Sequence, residues 1–331
     1  MLKIGNLNLK VPFFQAPLNG YSDYAMRRLA VDFDVPLTFA GVMLAKSAAH
    51  PKTLRNPAFR PHVDEHPVGA QIIGRDPSTM ASAARALQDA GYDIIDLNFA
   101  CPTPKVIKGR RGGWLMNDPD IVLEIYKRVR EAVTCPVTMK LRRGYDSSVQ
   151  SYDYFYEIVS EVSKLNIDAI TIHGRTVLQR YTGNVDWDFF SEVKRHFPRT
   201  TIIGSGDLFE PRVIFERLKK ANLDGVLIAR GAIGNPWIYQ DLHAIFNKKP
   251  VPEPPTLSEQ GEIIRKHFEM ICRFYDSSSA VKYFRKFLVR YCGLHPMRRK
   301  VQQSLTSATD REQLLAAIEQ WYGTQKQVKI A

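Results

Sequence analysis

The chain has no apolar run that approaches the roughly 18 residues of a membrane span, and its N-terminus lacks the apolar centre of a signal peptide. It has only four cysteines, and none of them forms a C-x-x-C pair. We therefore expect a reducing, cytoplasmic location without a disulfide framework, an iron–sulfur cluster or another metal site. The segment 204–209 (GSGDLF) lacks the third glycine of G-x-G-x-x-G, which disfavours a Rossmann dinucleotide fold.

Acidic residues are scarce, with 34 Asp and Glu against 46 Lys and Arg and a net charge of +12. Roughly half of this charge lies after residue 257, and the run 281–300 contains seven basic residues and no acid. Aromatic residues interleave with the basic ones in this run, which is typical of a surface that contacts nucleic acid. The candidate contacts are Lys282, Arg285 and Lys286.

The hydrophobic pattern predicts a parallel sheet, because short apolar runs alternate with helical patterns in units of about 25–40 residues. One helix is predicted over 79–90 and another over 119–133, where Asp118 is the expected N-cap before Pro119. Eight strand–helix units favour a closed barrel over an open sheet. The predicted strands are 12–16, 37–42, 68–73, 94–99, 136–141, 169–173, 201–204 and 225–229.

The pattern changes near residue 248, where four prolines fall within eight residues. After this segment the strand pattern stops, and 257–275, 280–292 and 311–321 read as amphipathic helices. The predicted fold class is therefore α/β, a (β/α)8 TIM barrel over residues 1–245 that is followed by a small all-helical C-terminal domain. Residues 246–256 form the expected linker, and residues 257–331 form the helical domain.

Reactive and polar side chains occur where the predicted strands end. The strand 94–99 stops at Pro102, which cannot continue a ladder and leaves the Cys101 thiol at the edge of the sheet. In barrels such strand ends hold the functional residues. The same strand supplies Asn98, and the other strands supply Ala16, Pro17, Gln71, Lys140, Arg142, His173 and Arg175.

The last two strands end in small-residue turns, 204–207 and 229–232, which are the usual place for a phosphate in a barrel. Their candidate phosphate contacts are Ser205, Gly206, Asp207, Ala229, Arg230 and Gly231. Amides, one lysine and one histidine around a phosphate site suit flavin mononucleotide (FMN). Gln71 can pair with the pyrimidine edge of the isoalloxazine, and a Lys140 ammonium near that edge would stabilise the anionic reduced flavin.

In these segments the chain resembles the tRNA-dihydrouridine synthase family, which has an FMN-binding barrel followed by a small helical domain. The matching segments follow the order of the family: 16–20 (APLNG), 69–74 (GAQIIG), 96–102 (DLNFACP), 140–144 (KLRRG), 172–176 (IHGRT) and 229–232 (ARGA). The helix segment 283–286 (YFRK) is similar to the Arg-Lys helix of the family.

The resemblance implies a reaction and a role for several residues. Reduced FMN would pass a hydride to carbon 6 of a flipped-out uridine in tRNA, and the Cys101 thiol would protonate carbon 5. Asn98 would orient the uracil, with Arg142 and Arg175 as further substrate contacts. Lys140 and His173 would contact flavin and pyrimidine oxygens, and NADPH would reduce the FMN again. The resemblance implies tRNA as the partner. The sequence favours a monomer and predicts no membrane association.

Three departures from the usual family pattern involve four positions. Ala100 stands where glycine is usual, Ser205 stands where asparagine is common, and Phe287 with Arg290 replaces a histidine and a tryptophan. The segment 105–114 (KVIKGRRGGW) is basic and rich in glycine, and it follows the thiol directly. We expect it to form a substrate lid, with Lys105 as one RNA contact.

Three other functions use the same barrel. An FMN enzyme that resembles dihydroorotate dehydrogenase would act on a free pyrimidine, and it would have no use for the basic tail. A related reductase would act on uridine in ribosomal RNA. A non-catalytic RNA-binding protein would need none of Cys101, Lys140 and His173.

Overall fold

The computed structural model describes residues 1–48 and 50–323. Two antiparallel strands, β1 (Leu2–Ile4) and β2 (Leu7–Leu9), precede a sheet of nine parallel strands. The strands of this sheet are β3 (Phe13–Gln15), β4 (Thr38–Phe39), β5 (Met43–Leu44), β6 (Val68–Ile73), β7 (Ile94–Asn98), β8 (Val137–Arg142), β9 (Ala169–His173), β10 (Ile202–Ser205) and β11 (Gly225–Ile228).

The sheet curls into a barrel with eight strand positions, because β4 and β5 both pair with β6 and share the second position. The order is β3-β11-β10-β9-β8-β7-β6-β4. The N–H of Gln15 donates to the carbonyl of Leu37 at 3.1 Å, which joins the first position to the second. The predicted (β/α)8 TIM barrel is confirmed. Strands β6 and β7 bury every residue, as parallel strands covered by helices do.

Ten helices accompany the barrel strands, and four more follow them. The first ten are α1 (Tyr24–Asp32), α2 (Ala45–Ala48), α3 (Pro51–Leu54), α4 (Pro77–Asp89), α5 (Pro104–Lys108), α6 (Pro119–Ala132), α7 (Val149–Lys164), α8 (Asp188–His196), α9 (Pro211–Lys220) and α10 (Trp237–Phe246). The C-terminal helices are α11 (Leu257–Cys272), α12 (Ser277–Tyr291), α13 (Arg298–Ser307) and α14 (Arg311–Tyr322). Short 3-10 turns lie at Gly112–Asn117, Arg230–Ala232 and Cys292–Leu294. No helix within the described residues is both long and apolar enough to cross a membrane.

Side-chain caps explain where several helices begin. The predicted cap of α6 is confirmed, since Asp118 accepts a hydrogen bond from the N–H of Ile121 at 3.4 Å. Asp76 caps α4 in the same way at 2.7 Å. At α11, Thr256 and Glu259 form a reciprocal capping box.

Two predictions of secondary structure were wrong in detail. The second strand, predicted over 37–42, is broken, because the N–H of Ala40 still bonds to Gly69 while the chain then passes through Gly41 before it rejoins β6 as β5. Helix α13 was not predicted. Its sequence is strongly polar, and Val301 and Leu305 are its buried side chains, so it shows little helical periodicity.

The helical C-terminal region has a hydrophobic core that it shares with the barrel. Ala25, Met26 and Leu29 of α1 and Ile233 of the last barrel loop belong to this second core. The ion pair between Lys266 of α11 and Asp32 of α1, 2.8 Å long, lies at the same contact. Helix α1 therefore packs on both parts of the molecule.

Helix α1 is held to the barrel by a buried ion pair. The side chains of Arg27 and Glu65 are fully buried and are joined by two hydrogen bonds of 2.8 and 2.9 Å. Arg27 also donates to the carbonyls of Ser22, Ala58 and Arg60. These bonds use all the donor nitrogens of the guanidinium, as a buried charge requires.

We expect Arg27→Met to lower the free energy of unfolding by about 3–5 kcal/mol, because it leaves the Glu65 carboxylate buried without its partner. Urea unfolding measures this change. The double variant Arg27→Met with Glu65→Leu should recover part of the loss. Arg128→Met is the matched control, since its ion pair with Glu124 is exposed and should contribute little. An effect of Arg27→Met as small as that of the control would contradict the structural role.

Candidate active site

A cavity of about 400 Å³ opens at the C-terminal ends of the barrel strands. This is the end at which barrels carry their functional residues. Most of the predicted site residues line it: Ala16, Pro17, Gln71, Asn98, Cys101, Lys140, Arg142, His173, Ser205, Gly206, Asp207, Ala229, Arg230 and Gly231. The parallel register brings them together, since each lies in the C-terminal half of its strand or just after it.

The Cys101 loop is held by Asn98 and Arg142. The side-chain oxygen of Asn98 accepts hydrogen bonds from the backbone N–H groups of Ala100 and Cys101, both 3.0 Å long. Arg142 Nε donates to the carbonyl of Ala100 at 2.9 Å. The Cys101 sulfur lies 3.4 Å from the hydroxyl of Thr103 and is partly exposed to the cavity. Side chains that were predicted to touch substrate therefore also position the thiol.

Glycines pack against the other side of this loop. The N–H of Gly113 donates to the carbonyl of Cys101 at 3.0 Å. Gly112 has a φ of +55°, and a Cβ there would lie 3.1 Å from the Cβ of Cys101. The segment 105–114, which was predicted to form a lid, therefore consists of α5 and the start of a 3-10 turn, and its glycines pack against the thiol loop. Lys105 lies on α5 within this segment, exposed and outside the cavity lining.

Lys140 projects into the cavity with its charged end buried. Its ammonium nitrogen has no hydrogen-bond partner within the described residues, although part of the side chain is exposed. Burial lowers the pKa of Lys140 to about 8, and the carboxylate of Asp96 opposes that shift. An unpartnered ammonium beside a cavity is a place for a ligand with acceptor atoms.

His173 is uncharged in this site. Burial lowers its pKa to about 2, and the charges of Lys140, Arg142, Arg175 and Arg230 lower it further. Its Nδ1 accepts a hydrogen bond from the N–H of Arg175 at 3.3 Å. The neutral ring therefore carries its proton on Nε2, which is available as a donor.

Glycines also keep the last two barrel loops close together. Gly206 has a φ of +124°, and a Cβ there would lie 2.8 Å from Val185 and 3.3 Å from the His173 ring. A Cβ on Gly231 would collide with the carbonyl oxygen of Leu208. Arg230 lies beside them, paired with Asp207 at 3.2 Å. These loops thus combine close backbone approach with a cation, as a phosphate site needs.

Arg175 does not line the cavity. It forms two hydrogen bonds of 2.5 and 3.1 Å with the carboxylate of Asp207, and it donates to the carbonyls of Thr182 and Gly183. Only 4% of its side chain is exposed. Its contacts hold the loop after β9 against the loop after β10, so the structure gives it a positioning role.

The three predicted RNA contacts of α12 differ in their surroundings. Lys282 is exposed. Arg285 is partly buried and donates to the carbonyl of Ala308 at 2.9 Å. The ammonium of Lys286 lies 3.1 Å from the centre of the Tyr283 ring and 5.7 Å from that of Tyr21. Burial lowers the pKa of Lys286 to about 8, opposed by the charge of Asp23.

Lys286 therefore links α12 to the barrel, because Tyr21 and the α1 cap Asp23 belong to the barrel side.

Sequence reasoning missed several residues of the site, among them Arg290 and Asp96. Arg290, four residues after Lys286 on α12, lines the cavity. Asp96 lies under the cavity, and its position within an apolar strand was the signal that could have identified it.

The fold and cavity define a class, the (β/α)8 barrels with a site at the C-terminal ends of the strands. Histamine dehydrogenase from Rhizobium sp. 4-9 superposes with a TM-score of 0.58 and 16% identity, covering 81% of this chain and 50% of that one. Morphinone reductase gives a TM-score of 0.54 and 13% identity, covering 76% and 91%. At such low identity the likeness supports the shared fold alone.

Sequence comparison identifies the family. The model of the family described as "Dihydrouridine synthase (Dus)" matches residues 14–327. A "Probable tRNA-dihydrouridine synthase" of Rickettsia conorii is 32% identical, over 88% of this chain and 87% of the relative. The "tRNA-dihydrouridine synthase B" of Pasteurella multocida is 31% identical, over 97% and 96%. The chain belongs to the dihydrouridine synthase family, and the predicted family is confirmed. Membership supports an oxidoreductase.

The lowered pKa of Lys140 predicts a pH dependence of stability in the protein without ligands. The pKa is about 8 in the folded state and 10.5 ordinarily, so the unfolded chain binds more protons between these values. The folded state therefore gains stability as the pH rises through this window. We expect Lys140→Met to be more stable than the native protein below pH 8, and the difference to shrink toward pH 10.5.

Urea unfolding of both proteins at a series of pH values measures this difference. Taking the difference removes the contributions of the other titrating groups, which both proteins share. If this difference in unfolding free energy does not change between pH 7 and 10.5, the lowered pKa of Lys140 is contradicted.

Proposed function

We propose that the chain reduces a uridine in tRNA to 5,6-dihydrouridine, with FMN bound in the cavity and NADPH as the reductant. The observation that carries the proposal is a thiol, Cys101, at the rim of a cavity that contains the unpartnered ammonium of Lys140. The family and the names of its curated relatives support uridine in tRNA as the substrate.

The residues of the cavity fit FMN. The Lys140 ammonium has no hydrogen-bond partner within the described residues, and the Nε2–H of His173 is a second donor in the lining of the same cavity. The pyrimidine edge of an isoalloxazine has carbonyl oxygens that would satisfy both donors. Arg230 and the turns at Gly206 and Gly231 would hold the phosphate. Reduced FMN, when bound, would supply a hydride to carbon 6 of the uracil.

Cys101 would act as the acid of the reaction. Its S–H bond would break as the proton moves to carbon 5 of the uracil, which leaves a thiolate beside the guanidinium of Arg142. Asn98 and Arg142 hold the backbone of the loop, so the sulfur is positioned before the substrate arrives. A thiol is mostly protonated at neutral pH and is therefore suited to this role.

The helical region would help to present the base. A uridine must leave its stack to reach a site inside a barrel, and this costs a few kcal/mol that RNA contacts elsewhere would offset. Arg290 of α12 lines the cavity, and the second core includes residues of α1. A chain that ends before residue 257 would therefore lack part of the cavity wall. Loss of activity in such a chain would not tell whether the substrate is tRNA or a free pyrimidine.

Helix α13 carries the clearest candidate RNA contact. Arg298, Arg299 and Lys300 are exposed and occupy its first turn, where the helix dipole disfavours positive charge. Three cations at this end oppose the local stability of the helix. A polyanion bound there would account for them, since phosphates would neutralise the cluster.

We expect Cys101→Ala to reduce uridine about 10²–10⁴-fold more slowly than the native protein, because the acid is lost while the cavity is kept. Mass spectrometry of unmodified tRNA after incubation with FMN and NADPH measures the gain of about two hydrogens per uridine. Cys135→Ala is the matched control, because Cys135 is also partly buried and lies before β8, at the opposite end of the barrel.

Parallel reactions with NADH, ribosomal RNA and free uracil or orotate test the alternatives. Reduction of a free pyrimidine or of ribosomal RNA, with no change in any tRNA, would contradict the proposal. Bound flavin with no reduced product at all would favour a protein that binds RNA without catalysis.

We expect the triple variant R298A/R299A/K300A to weaken tRNA binding and to lower the slope of log Kd against log salt by about 2–3. Its thermal stability should stay equal or rise slightly, because the charges oppose the helix dipole. The control replaces Lys164, Lys219 and Lys220, which are exposed at the C-terminal ends of α7 and α9. Equal salt slopes in the two variants would show that only net charge matters.

A further inference from the structure

The family assignment leaves one buried acid of the barrel without a function. Asp23, Glu65 and Asp96 are the acids among the buried polar residues of the described chain. Asp23 caps α1, and Glu65 pairs with Arg27. Asp96 lies in the middle of β7, is 4% exposed, and receives its hydrogen bonds from two neutral side chains. A carboxylate inside a barrel is costly, so its presence calls for a reason.

The strand register connects Asp96 to the site. Asp96 is paired with Gln71 on β6 and with Thr138 on β8. Two residues further along β7, Asn98 is paired with Lys140. Side chains two residues apart on a strand lie on the same face, so Asp96 is directly below the layer that lines the cavity.

A chain of hydrogen bonds runs from Asp96 to the thiol loop. The carboxylate accepts from the Thr138 hydroxyl at 2.7 Å and from Gln71 Nε2 at 2.6 Å. Gln71 Oε1 then accepts from Asn98 Nδ2 at 2.7 Å, and Asn98 Oδ1 accepts from the N–H groups before and at Cys101. A carboxylate can only accept, so it orients the Gln71 amide, which in turn orients the Asn98 amide.

Asp96 also provides the negative charge that stabilises the charged form of Lys140. The ammonium of Lys140 is faced by Arg142 on the same strand and by neutral His173 on β9, and neither offers it a negative charge. Asp96 is the group that raises the pKa of Lys140 against its burial. The pKa of Asp96 is itself raised by burial, and the hydrogen bonds from Gln71 and Thr138 and the charge of Lys140 oppose that shift.

We propose that Asp96 is a positioning residue of the site, which orients the amides that hold the Cys101 loop and places a negative charge in the layer beneath the ammonium of Lys140. The proposal rests on the proposed function for its catalytic meaning. Asp96 touches neither the cavity nor the reacting atoms, and it would act through Gln71, Asn98 and Lys140.

Two variants separate the charge from the hydrogen bonds. Asp96→Asn removes the charge and keeps the chain, because its amide oxygen can accept from Gln71 while its nitrogen donates to the Thr138 oxygen. Gln71→Met cuts the chain between Asp96 and Asn98 and leaves the charge in place. Both replacements have nearly the volume of the native side chain, which limits loss of packing.

The first measurement is the titration of Lys140 in the protein without flavin. It is obtained from the pH dependence of the difference in unfolding free energy between each background and the same background with Lys140→Met. In Asp96→Asn we expect the midpoint of the Lys140 titration to fall by about one pH unit, because the variant lacks the nearby negative charge that favours the ammonium form. In Gln71→Met we expect a much smaller shift. An unchanged titration in Asp96→Asn would overturn the charge role.

The second measurement is the rate at which iodoacetamide alkylates Cys101, followed by mass spectrometry of its peptide so that the other cysteines do not contribute. In Gln71→Met we expect the rate to change several-fold, because the Asn98 amide is no longer oriented. In Asp96→Asn the rate should stay close to the native value. A rate in Gln71→Met that equals the native rate would overturn the role in holding the loop.

The loaded enzyme gives an independent readout. The alkaline limb of the pH profile of uridine reduction should move down by about one unit in Asp96→Asn, in parallel with the Lys140 titration. A merely structural role would lower the rate at every pH alike, and that result would overturn the proposal. A native protein that titrates and alkylates as expected but reduces no uridine would contradict the proposed function and leave the assignment of Asp96 supported.

Discussion

The parallel register of β6, β7 and β8 is the constraint on which the site depends. It pairs Gln71 with Asp96 and Asp96 with Thr138, and it pairs Asn98 with Lys140. A shift of one residue in β7 would turn Asp96 and Asn98 toward the surrounding helices and bring Ile95 and Leu97 inward. The apolar residues of β7 therefore do more than fill the core, because their burial against the helices secures the inward direction of the polar ones.

Much of the fold was predictable because barrel strands are short, apolar and bounded by clear turns. The predicted strand 68–73 matches β6, and 169–173 matches β9. The second strand was predicted as one piece, because a single glycine, Gly41, is only a weak signal of a break in a run that is mostly apolar. Helix α13 was not foreseen, because a helix with only Val301 and Leu305 buried has almost no periodic signal. It packs against α12 and α14, and no side chain within the described residues caps its start.

The site was predictable where a residue ends a strand, and less so where a side chain acts through others. Cys101, Lys140 and His173 stood out because each is chemically unusual in its local sequence. Asp96 was part of the same segment, but its importance follows from partners on two other strands. Arg175 and Lys286 carry the charge expected of ligand contacts, yet their neighbours in the structure are a carboxylate, carbonyls and aromatic rings. Sequence gives the type of a side chain, and only the fold gives its partners.

The shared second core has a consequence for how parts of this chain can be exchanged. Gly234 lies against the backbone of Arg290 and Tyr291, so that even a Cβ at this position would come within 2.5 Å of the helix. Because Arg290 of α12 lines the cavity, this helix forms part of the cavity wall as well as of the helical region. Exchanging the C-terminal helices for those of a relative would alter the chamber as well as the outer surface of these helices. Such an exchange preserves the chamber only when the barrel residues that contact α12 are exchanged together with it, so the helices are not a separable module.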